Sequence, residues 1–379
     1  MLRFVLIILT IFLYAVSWYQ KLPNKNDWDI STITEQNTGC LTHKTPFYSE
    51  TFVNIETPGY ISHVSSISPA DNKMACAWYA GSREGAGDVA IYFSLFNEET
   101  LTWGQPVKLV DRLQSSNELK RDVKKIGNPV LFSDSAGRLW LFYSSVTVGG
   151  WSGCSLNYKI STDGGSTWTN SSKMILSPFF NLTENVKNKG ILFEDGSFVI
   201  PVYHEFINKF SQLVRLKPGK GHTNYEIWKI TTNENAIQPS ILPDEGGAMT
   251  AFFRNMGNKK ENYILKTFSK DAGKTWSELI DTSLPNPNSG FDIIRLADGG
   301  YLAVINYSFH DRSNLTMLIS EDKGKTWRKI KVLENTPGKE YSYPSINRSN
   351  SGLYHLTYTY ERRRIKHIVF NEPWIRSLK

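Results

Sequence analysis

An eight-residue pattern, Ser-x-Asp-x-Gly-x-Thr-Trp, occurs three times in this chain and constrains its fold more than any other feature. The copies are Ser161–Trp168, Ser269–Trp276 and Ser320–Trp327, and each follows a segment of alternating apolar residues. Aspartate and glycine favour tight turns, and serine and threonine can hydrogen-bond such a turn internally. Tryptophan can pack its ring against the base of a sheet. Each copy therefore predicts a hairpin turn with a structural role.

The repeat extends beyond the three perfect copies. A widened copy ends at Trp103 and a degenerate one at Trp228, so that successive closing tryptophans are 65, 60, 48 and 51 residues apart. Four strands with their turns fill such an interval, which is the size of a propeller blade. The stretch Gly352–Phe370 predicts a sixth blade, which an early strand near Phe47–Ile55 can complete. The sequence thus predicts an all-β, six-bladed β-propeller over residues 47–379.

Composition limits the possible partners. Aromatic residues make up 13% of the chain and the net charge is +7, which suits a large core and an acidic ligand. The aromatic-flanked basic stripe of nucleic-acid-binding modules is missing from the sequence, so we expect no nucleic acid partner. The basic run Arg362–Arg364 is interpreted as a solvated strand end. Cys40, Cys76 and Cys154 are far apart, which predicts neither a metal site nor a disulfide framework.

The amino terminus predicts export. Arg3 precedes the apolar run Phe4–Tyr19, whose 16 residues are short for a membrane span of about 20 residues but fit a signal peptide. Ala15–Ser17 is a weak cleavage site, and an uncleaved anchor attached through residues 4–19 stays open as an alternative. We expect residues 1–20 to be a signal peptide or anchor and 21–46 a linker. The propeller would then be periplasmic, extracellular or membrane-anchored, outside the cytoplasm.

The repeated pattern resembles the Asp box of the sialidase (neuraminidase) superfamily of BNR-repeat proteins, and the resemblance covers roughly Tyr60 to Phe370. It implies a sialidase-like propeller whose ligand site lies at the central axis, on loops opposite the boxes. Sialidases bind the substrate carboxylate with three arginines. They use a tyrosine nucleophile activated by a glutamate, an aspartate acid/base and no cofactor.

Three positions match that family pattern. Arg312, in the segment that leads into the third box, resembles the third arginine, and Arg254, in Phe-Phe-Arg-Asn, resembles the second. Two guanidinium groups can hold one carboxylate through bidentate pairs. Tyr341, in Glu-Tyr-Ser-Tyr-Pro, resembles the nucleophile. A surface ion pair for each arginine and a core position for the tyrosine are the ordinary alternatives.

Three other positions depart from the pattern. His63 stands at the place of the first arginine, and Glu84, with Arg83 beside it, is the carboxylate nearest to the acid/base position. Gln238 replaces the activating glutamate, and an amide cannot accept the phenolic proton. These substitutions resemble a bacterial subgroup of predicted neuraminidases. The predicted catalytic residues are Tyr341, Glu84 and His63, and the predicted substrate-binding residues are Arg254, Arg312, Gln238, Asn128 and Arg83. Further candidates for the axis are Tyr203, His204, Glu205 and Asp292.

The leading interpretation is an exported exo-glycosidase that hydrolyses terminal sialic acid or another acidic sugar. Histidine-assisted hydrolysis or β-elimination on a uronic-acid glycan is an alternative, because His63 and a neighbouring carboxylate suit acid–base work. A non-catalytic glycan-binding propeller is a third interpretation, since fold does not fix function. We expect a monomer with an acidic glycan as its ligand and no cofactor or metal.

Overall fold

The computed structural model describes residues 2–19, 45–57, 59–176, 184–205, 209–219, 223–231 and 235–378. Six antiparallel sheets follow one another along the chain from residue 61, and the predicted six-bladed β-propeller is confirmed. The linker predicted at residues 21–46 lies almost entirely outside the described residues. From Phe47 onward the sequence alternates short apolar runs with turn residues and shows no long helical periodicity. Strands therefore account for most of the described chain.

The first three blades contain one sheet each. Blade 1 comprises β2 Ile61–Ala70, β3 Lys73–Gly81, β4 Ala90–Asn97, β5 Thr102–Trp103 and β6 Val107–Asp111. Blade 2 comprises β7 Lys125–Ser133, β8 Leu139–Val146, β9 Cys154–Ser161 and β10 Ser172–Lys173. Blade 3 comprises β11 Asn185–Val186, β12 Ile191–Leu192, β13 Phe198–His204, β14 Phe210–Pro218 and β15 Thr223–Lys229.

The last three blades follow the same order. Blade 4 comprises β16 Ala236–Pro243, β17 Met249–Asn255, β18 Tyr263–Ser269 and β19 Ile280–Pro285. Blade 5 comprises β20 Asp292–Arg295, β21 Tyr301–Ile305, β22 Asn314–Ser320 and β23 Arg328–Asn335. Blade 6 comprises β24 Tyr341–Arg348, β25 Tyr354–Tyr360, β26 Arg364–Phe370 and β1 Tyr48–Phe52.

An early strand closes the ring. β1 pairs antiparallel with β26, from Tyr48 opposite Phe370 to Phe52 opposite Lys366. The outer strand of the last blade is therefore supplied by chain that precedes the first blade, as the sequence predicted. This pairing joins residues more than 300 positions apart, so it ties the start of the propeller to its last blade.

The Asp boxes form turns stabilised by the hydrogen bonds that their composition predicts. In the second box, Ser269 Oγ and Thr275 N donate to Asp271 Oδ1, and Thr275 Oγ1 donates to Asp271 Oδ2 at 2.6 Å. Gly273 has a φ of +88°, and a methyl group there would lie 2.8 Å from Leu213 of the preceding blade. The glycine thus satisfies a left-handed turn and a close approach between blades at once.

In the described segments, three α-helices lie outside the sheets: α1 Leu2–Tyr19, α2 Arg112–Leu119 and α3 Glu372–Ser377. Short 3-10 turns occur at Trp151–Gly153 and Glu245–Gly247. Across the residues that the structure describes, no helix combines the length and the apolar character needed to cross a membrane. Helix α1 carries exposed apolar side chains from Phe4 to Phe12. Its role as a signal peptide or anchor stays a prediction.

Candidate functional site

The strand order places one set of loops at a single mouth of the ring. The innermost strands β2, β7, β16, β20 and β24 all start at this mouth, and the loops between the second and third strands return to it. The Asp boxes join third and fourth strands, so they lie at the opposite mouth. Polar side chains on the first set of loops can therefore meet at the axis, away from the boxes.

Irregular backbone marks the start of the innermost strands. Val64, Asn128, Gln238 and Tyr343 have φ angles of 49–52° and lie where the pairing with the second strand shifts register. Asn288, just before β20, has a φ of 53°. Left-handed backbone costs a non-glycine residue about 1–2 kcal/mol, and bulges re-aim side chains next to functional sites. The recurrence of this strain in five blades points to the mouth as the functional surface.

Arg254 lies at the end of β17 and reaches across this mouth. Its Nε donates to Asn288 Oδ1 at 2.8 Å, and its Nη1 donates to Gln238 Oε1 at 3.2 Å and Tyr343 Oη at 3.4 Å. The residue is 8% exposed. Within the described part of the chain, Arg254 forms no ion pair. A nearly buried guanidinium whose hydrogen-bond partners Asn288, Gln238 and Tyr343 are neutral favours an anionic ligand.

Arg312, in the loop between β21 and β22, lies beside Arg254 at the mouth. Its Nη2 donates to the carbonyl oxygen of Asn288 at 2.9 Å, so both arginines are braced by one residue. The guanidinium carbon lies 5.3 Å from the centre of the Tyr343 ring, within cation–π distance. Its Nη1 lies 3.4 Å from Glu340 Oε1. The structure therefore brings the two predicted carboxylate-binding arginines together.

Gln238 has a fixed orientation between Arg254 and Tyr203. Its Oε1 accepts from Arg254, and its Nε2 donates to Tyr203 Oη at 3.1 Å. The oxygen and the nitrogen of the amide are thus both hydrogen-bonded to protein groups. A carboxylate here could accept from Arg254 but could not donate to Tyr203. Gln238 holds the mouth together and has no basic atom with which to activate a phenol.

Tyr343, not Tyr341, is the tyrosine at the centre of this cluster. Tyr341 is 1% exposed, and its ring packs in the core against Tyr360 at 5.3 Å. The ring of Tyr343 lies 5.0 Å from His63, beneath Arg312 and next to Arg254. A left-handed bulge turns Tyr343 toward the axis, whereas Tyr341, two residues earlier in the same strand, packs in the core. The structure does not bring Tyr341 into the site.

The signal for Tyr343 was present in the sequence. Asn128, Gln238 and Tyr343 each directly precede a proline at the start of an innermost strand. This repeated residue–proline pair marks the bulge that faces the mouth. The resemblance to sialidases predicted Tyr341, the first tyrosine of Glu-Tyr-Ser-Tyr-Pro. The residue–proline pair that recurs between blades instead indicates the second, Tyr343.

His63 and Glu84 meet at the mouth through Arg362. The Nη2 atom of Arg362 lies 3.2 Å from His63 Nε2 and 3.2 Å from Glu84 Oε2, and its Nε donates to Glu340 Oε2 at 2.7 Å. Glu340 also faces Arg312, so charges of alternating sign run across blades 5, 6 and 1. The sequence predicted a solvated strand end at Arg362, which is wrong, and no sequence pattern marked Glu340.

Two other predicted ligand-binding residues lie apart from the arginine pair. Arg83 is exposed in the same hairpin as Glu84. Asn128 Nδ2 donates to Asn185 Oδ1 at 3.2 Å, on the side of the mouth formed by blades 2 and 3. Among the described residues, neither Arg83 nor Asn128 forms a hydrogen bond with Arg254 or Arg312.

The remaining axis candidates have structural partners. His204 lies 3.1 Å from Glu184 in a buried pair, and although burial opposes it, this carboxylate raises the pKa of His204. Asp292 accepts from Lys189 Nζ at 2.8 Å below the mouth. Glu205 follows β13; burial raises the pKa of its carboxyl, and the charge of Arg254 opposes this shift. Glu205 therefore lies within electrostatic reach of Arg254.

A lysine lies at the axis beneath Tyr343. Lys187 is buried where the innermost strand of blade 3 is interrupted, and its Nζ donates to the carbonyl oxygen of Pro344 at 3.0 Å. Burial lowers the pKa of Lys187 to about 8, although nearby Asp292 favours its charged form. Among the described residues, no group of three or more histidine, cysteine or acidic side chains has the arrangement of a metal site.

Comparison with known proteins agrees with this arrangement of blades. The family model for the BNR repeat-like domain matches residues 72–356. The chain belongs to the BNR repeat-like domain family. This places it in the sialidase/BNR-repeat superfamily, as the Asp boxes predicted. No curated protein matches it in sequence.

Solved structures with the same fold include several sialidases. The BNR-repeat chain superposes on the Hadza microbial sialidase Hz136 with a TM-score of 0.68 at 15% identity, covering 84% of this chain and 66% of that chain. It matches the intramolecular trans-sialidase from Ruminococcus gnavus with a TM-score of 0.61 at 15% identity, covering 83% and 95%. A protein of unknown function from Dyadobacter fermentans gives a TM-score of 0.67 at 13% identity, covering 86% and 99%. At these identities the likeness concerns the fold.

Proposed function

We propose that this BNR-repeat protein is a glycosidase that acts on a terminal acidic sugar, sialic acid or a related carboxylated sugar. The observation that carries the proposal is the position of Arg254 and Arg312, which share Asn288 and flank Tyr343. Arg254 is nearly buried and donates its hydrogen bonds to neutral groups, so a substrate carboxylate would supply a direct counter-charge.

In this proposal each side chain has a separate task. Arg254 and Arg312 bind the carboxylate and fix the orientation of the sugar. Tyr343 faces the anomeric carbon, where it attacks or stabilises positive charge as the leaving group departs. A phenol suits this place because a second carboxylate would repel the acidic substrate. Glu84, partly exposed at the mouth, exchanges a proton with the leaving oxygen or with water.

One observation favours a second reaction on the same site. Gln238 engages both ends of its amide with protein partners and offers Tyr343 no base. In β-elimination of a uronic acid, the tyrosine would transfer protons and would not need activation as a nucleophile. The arginine pair would still bind the uronic carboxylate. Lyase activity on uronic-acid glycans is therefore the second candidate function, and binding without turnover is the third.

The test is incubation of the purified full-length protein with sialyl and uronyl glycans, followed by product analysis. Released acidic monosaccharide supports hydrolysis, and a new ultraviolet absorbance from an unsaturated uronide supports the lyase. Arg254→Gln and Arg312→Gln should each weaken turnover roughly tenfold to hundredfold, because a hydrogen bond to a charged group contributes about 1.5–3 kcal/mol. Saturable binding without any product would leave the glycan-binding interpretation.

We also propose that the propeller acts outside the cytoplasm. The apolar side chains exposed along helix α1 support this, since they have no packing partner among the described residues. Fractionation of cells that express the full chain tests the proposal. Recovery of the propeller in the cytoplasmic fraction would contradict it.

A further inference from the structure

The backbone of the turn between β25 and β26 is unusual for its sequence. Glu361 and Arg362 have φ angles of 52° and 56°, and Arg363 N donates to the carbonyl oxygen of Tyr360 at 3.0 Å. Two successive left-handed residues at the centre of a β-turn normally require Asn-Gly or a similar pair, because only such residues adopt this backbone at little cost. Strain of this kind persists where the surrounding contacts impose it, and it clusters at functional sites.

The contacts of Arg362 explain where its side chain is held. Its Nε donates to Glu340 at 2.7 Å, and its Nη2 reaches both Glu84 and His63 at 3.2 Å. One guanidinium therefore joins a loop of blade 1 to the start of β24 and to the innermost strand of blade 1. These three partners surround the mouth rather than the outer surface.

The hydrogen bonds of His63 determine its protonation state. A guanidinium nitrogen can only donate, so Nε2 of His63 must accept from Arg362 and carries no proton. The ring proton then sits on Nδ1, which lies 3.0 Å from Thr359 Oγ1. The backbone N–H of Val64 donates to the same hydroxyl at 3.1 Å. This network assigns the neutral Nδ1–H tautomer to His63.

The surroundings of His63 oppose its protonation. The residue is 1% exposed and is enclosed by the rings of Tyr79 and Tyr343, with Arg362 and Arg312 as the nearby charges. Burial, together with these two positive charges, holds the pKa of His63 well below its usual value. A histidine with both nitrogens engaged and no access to ligand is unsuited to proton transfer.

We propose that His63 is a positioning residue, which anchors Arg362 from its neutral form, and that Arg362 in turn holds Glu84 and Glu340 in place at the mouth. This inference deepens the proposed function, since Glu84 is the proton-exchanging group of that reaction. It replaces the histidine-assisted reaction considered from the sequence: the imidazole accepts a hydrogen bond and moves no proton. Arg362 is a residue that no repeat or motif of the sequence assigned to the site.

The variant that separates function from structure is Arg362→Gly. Glycine relieves the left-handed strain, so the melting temperature should stay unchanged or rise, whereas turnover of the cleaved acidic glycan should fall at least tenfold. Glu361→Gly is the matched control, because it relieves the neighbouring strain and should leave turnover within about twofold. Full turnover by Arg362→Gly would overturn the inference. A loss of melting temperature that parallels the loss of turnover would also overturn it, since it would indicate a structural role.

Two measurements on His63 complete the test. Nitrogen-15 NMR of the wild-type protein should show one neutral tautomer with the proton on Nδ1 and no titration between pH 5 and 8. His63→Gln, which offers an acceptor oxygen to Arg362, should retain more turnover than His63→Phe by at least about fivefold. Titration of His63 in that range, or a pH profile that loses one limb equally in both variants, would indicate proton transfer and overturn the inference.

Failure of the proposed function is distinguishable from failure of this inference. If the wild-type protein cleaves none of the sialyl or uronyl glycans, the proposed function fails. The tautomer of His63 and the melting temperature of Arg362→Gly are measured without substrate. The tautomer still decides whether the anchor exists: the Nδ1–H tautomer supports it, and a titrating imidazole contradicts it.

Discussion

The phenol oxygen of Tyr343 lies 3.4 Å from a guanidinium nitrogen of Arg254. Tyr343 comes from the first strand of blade 6 and Arg254 from the second strand of blade 4, so their contact joins two blades that are not adjacent in the ring. A left-handed bulge aims the tyrosine, and Asn288 and Gln238 aim the arginine. In the proposed function Arg254 binds the substrate carboxylate and Tyr343 faces the anomeric carbon, so this contact fixes the two groups relative to each other.

The two tyrosines of β24 give a matched pair of substitutions. Tyr343→Phe should abolish most turnover, by about a hundredfold or more, because the hydroxyl faces Arg254 at the mouth. Tyr341→Phe should keep turnover within a few-fold, since this ring packs in the core. Steady-state kinetics on the cleaved glycan measure both. Equal losses in the two variants, or a larger loss for Tyr341→Phe, would return the nucleophile assignment to Tyr341.

Adding a carboxylate beside Arg254 should mimic the substrate and compete with it. Gln238→Glu places an anion 3.2 Å from Arg254 Nη1, so KM for an acidic glycan should rise about tenfold or more. Asn128→Asp adds the same charge at the mouth on the side of Asn185, away from the arginine pair, and should change KM much less. Higher turnover by Gln238→Glu at unchanged KM would mean instead that a base at this position activates the phenol.

Stability should depend on the glycine of an Asp box more than on a glycine in an open turn. Gly273→Ala introduces a methyl group 2.8 Å from Leu213 in addition to its left-handed strain, so we expect a loss of about 2–4 kcal/mol. Gly246 has a φ of +67° with nothing within 4 Å, and Gly246→Ala should cost only about 1–2 kcal/mol. Denaturant unfolding compares the two. Equal losses would show that the contact between blades contributes nothing.

The free energy of unfolding should fall as pH drops below about 6.5. Trp103 donates to His367 at 3.1 Å, His367 lies 3.0 Å from His355, and His355 lies 3.0 Å from Glu98. Burial lowers the pKa of both histidines in the folded protein. Above pH 6.5 both histidines are neutral in the folded and in the unfolded chain, so they do not make the free energy of unfolding depend on pH. Below it, the unfolded chain binds protons that the folded chain excludes, and each histidine costs up to about 1.4 kcal/mol per pH unit.

Chemical denaturation between pH 8 and pH 5 measures this slope. His63 contributes in the same direction, whereas His204, whose pKa Glu184 raises against the effect of burial, contributes in the opposite direction. His355→Gln should flatten the slope, and His310→Gln, at an exposed position, should leave it unchanged. A stability that is constant from pH 8 to pH 5 would contradict the buried neutral histidines.

The sequence predicted the scaffold well because its signals are local and repeated. A box such as Ser269–Trp276 contains all the groups that close its own turn, so its structure can be inferred without the rest of the chain. The closing strand β1 was also predicted, as an early strand near Phe47–Ile55 that could complete the last blade. Blade boundaries then followed from the spacing of the tryptophans.

The residues of the mouth were predictable where a position could be aligned with the sialidase pattern between the boxes. Arg254, Arg312, His63 and Glu84 were aligned between boxes, and the structure brings them to one mouth. Tyr343 was missed because a bulge, rather than strand alternation, sets its direction. Arg362 was missed because its position depends on a strained hairpin turn, and residues such as Glu-Arg give no sign of left-handed backbone.

The central claim is that Arg254 and Arg312 recognise the carboxylate of an acidic sugar. The most direct test compares turnover of a sialyl or uronyl glycan with that of the same glycan after its carboxylate is converted to a methyl ester. We predict that kcat/KM falls about a hundredfold or more for the ester in the wild-type protein, and that Arg254→Gln removes most of this difference. Equal turnover of acid and ester by the wild-type protein would contradict the claim.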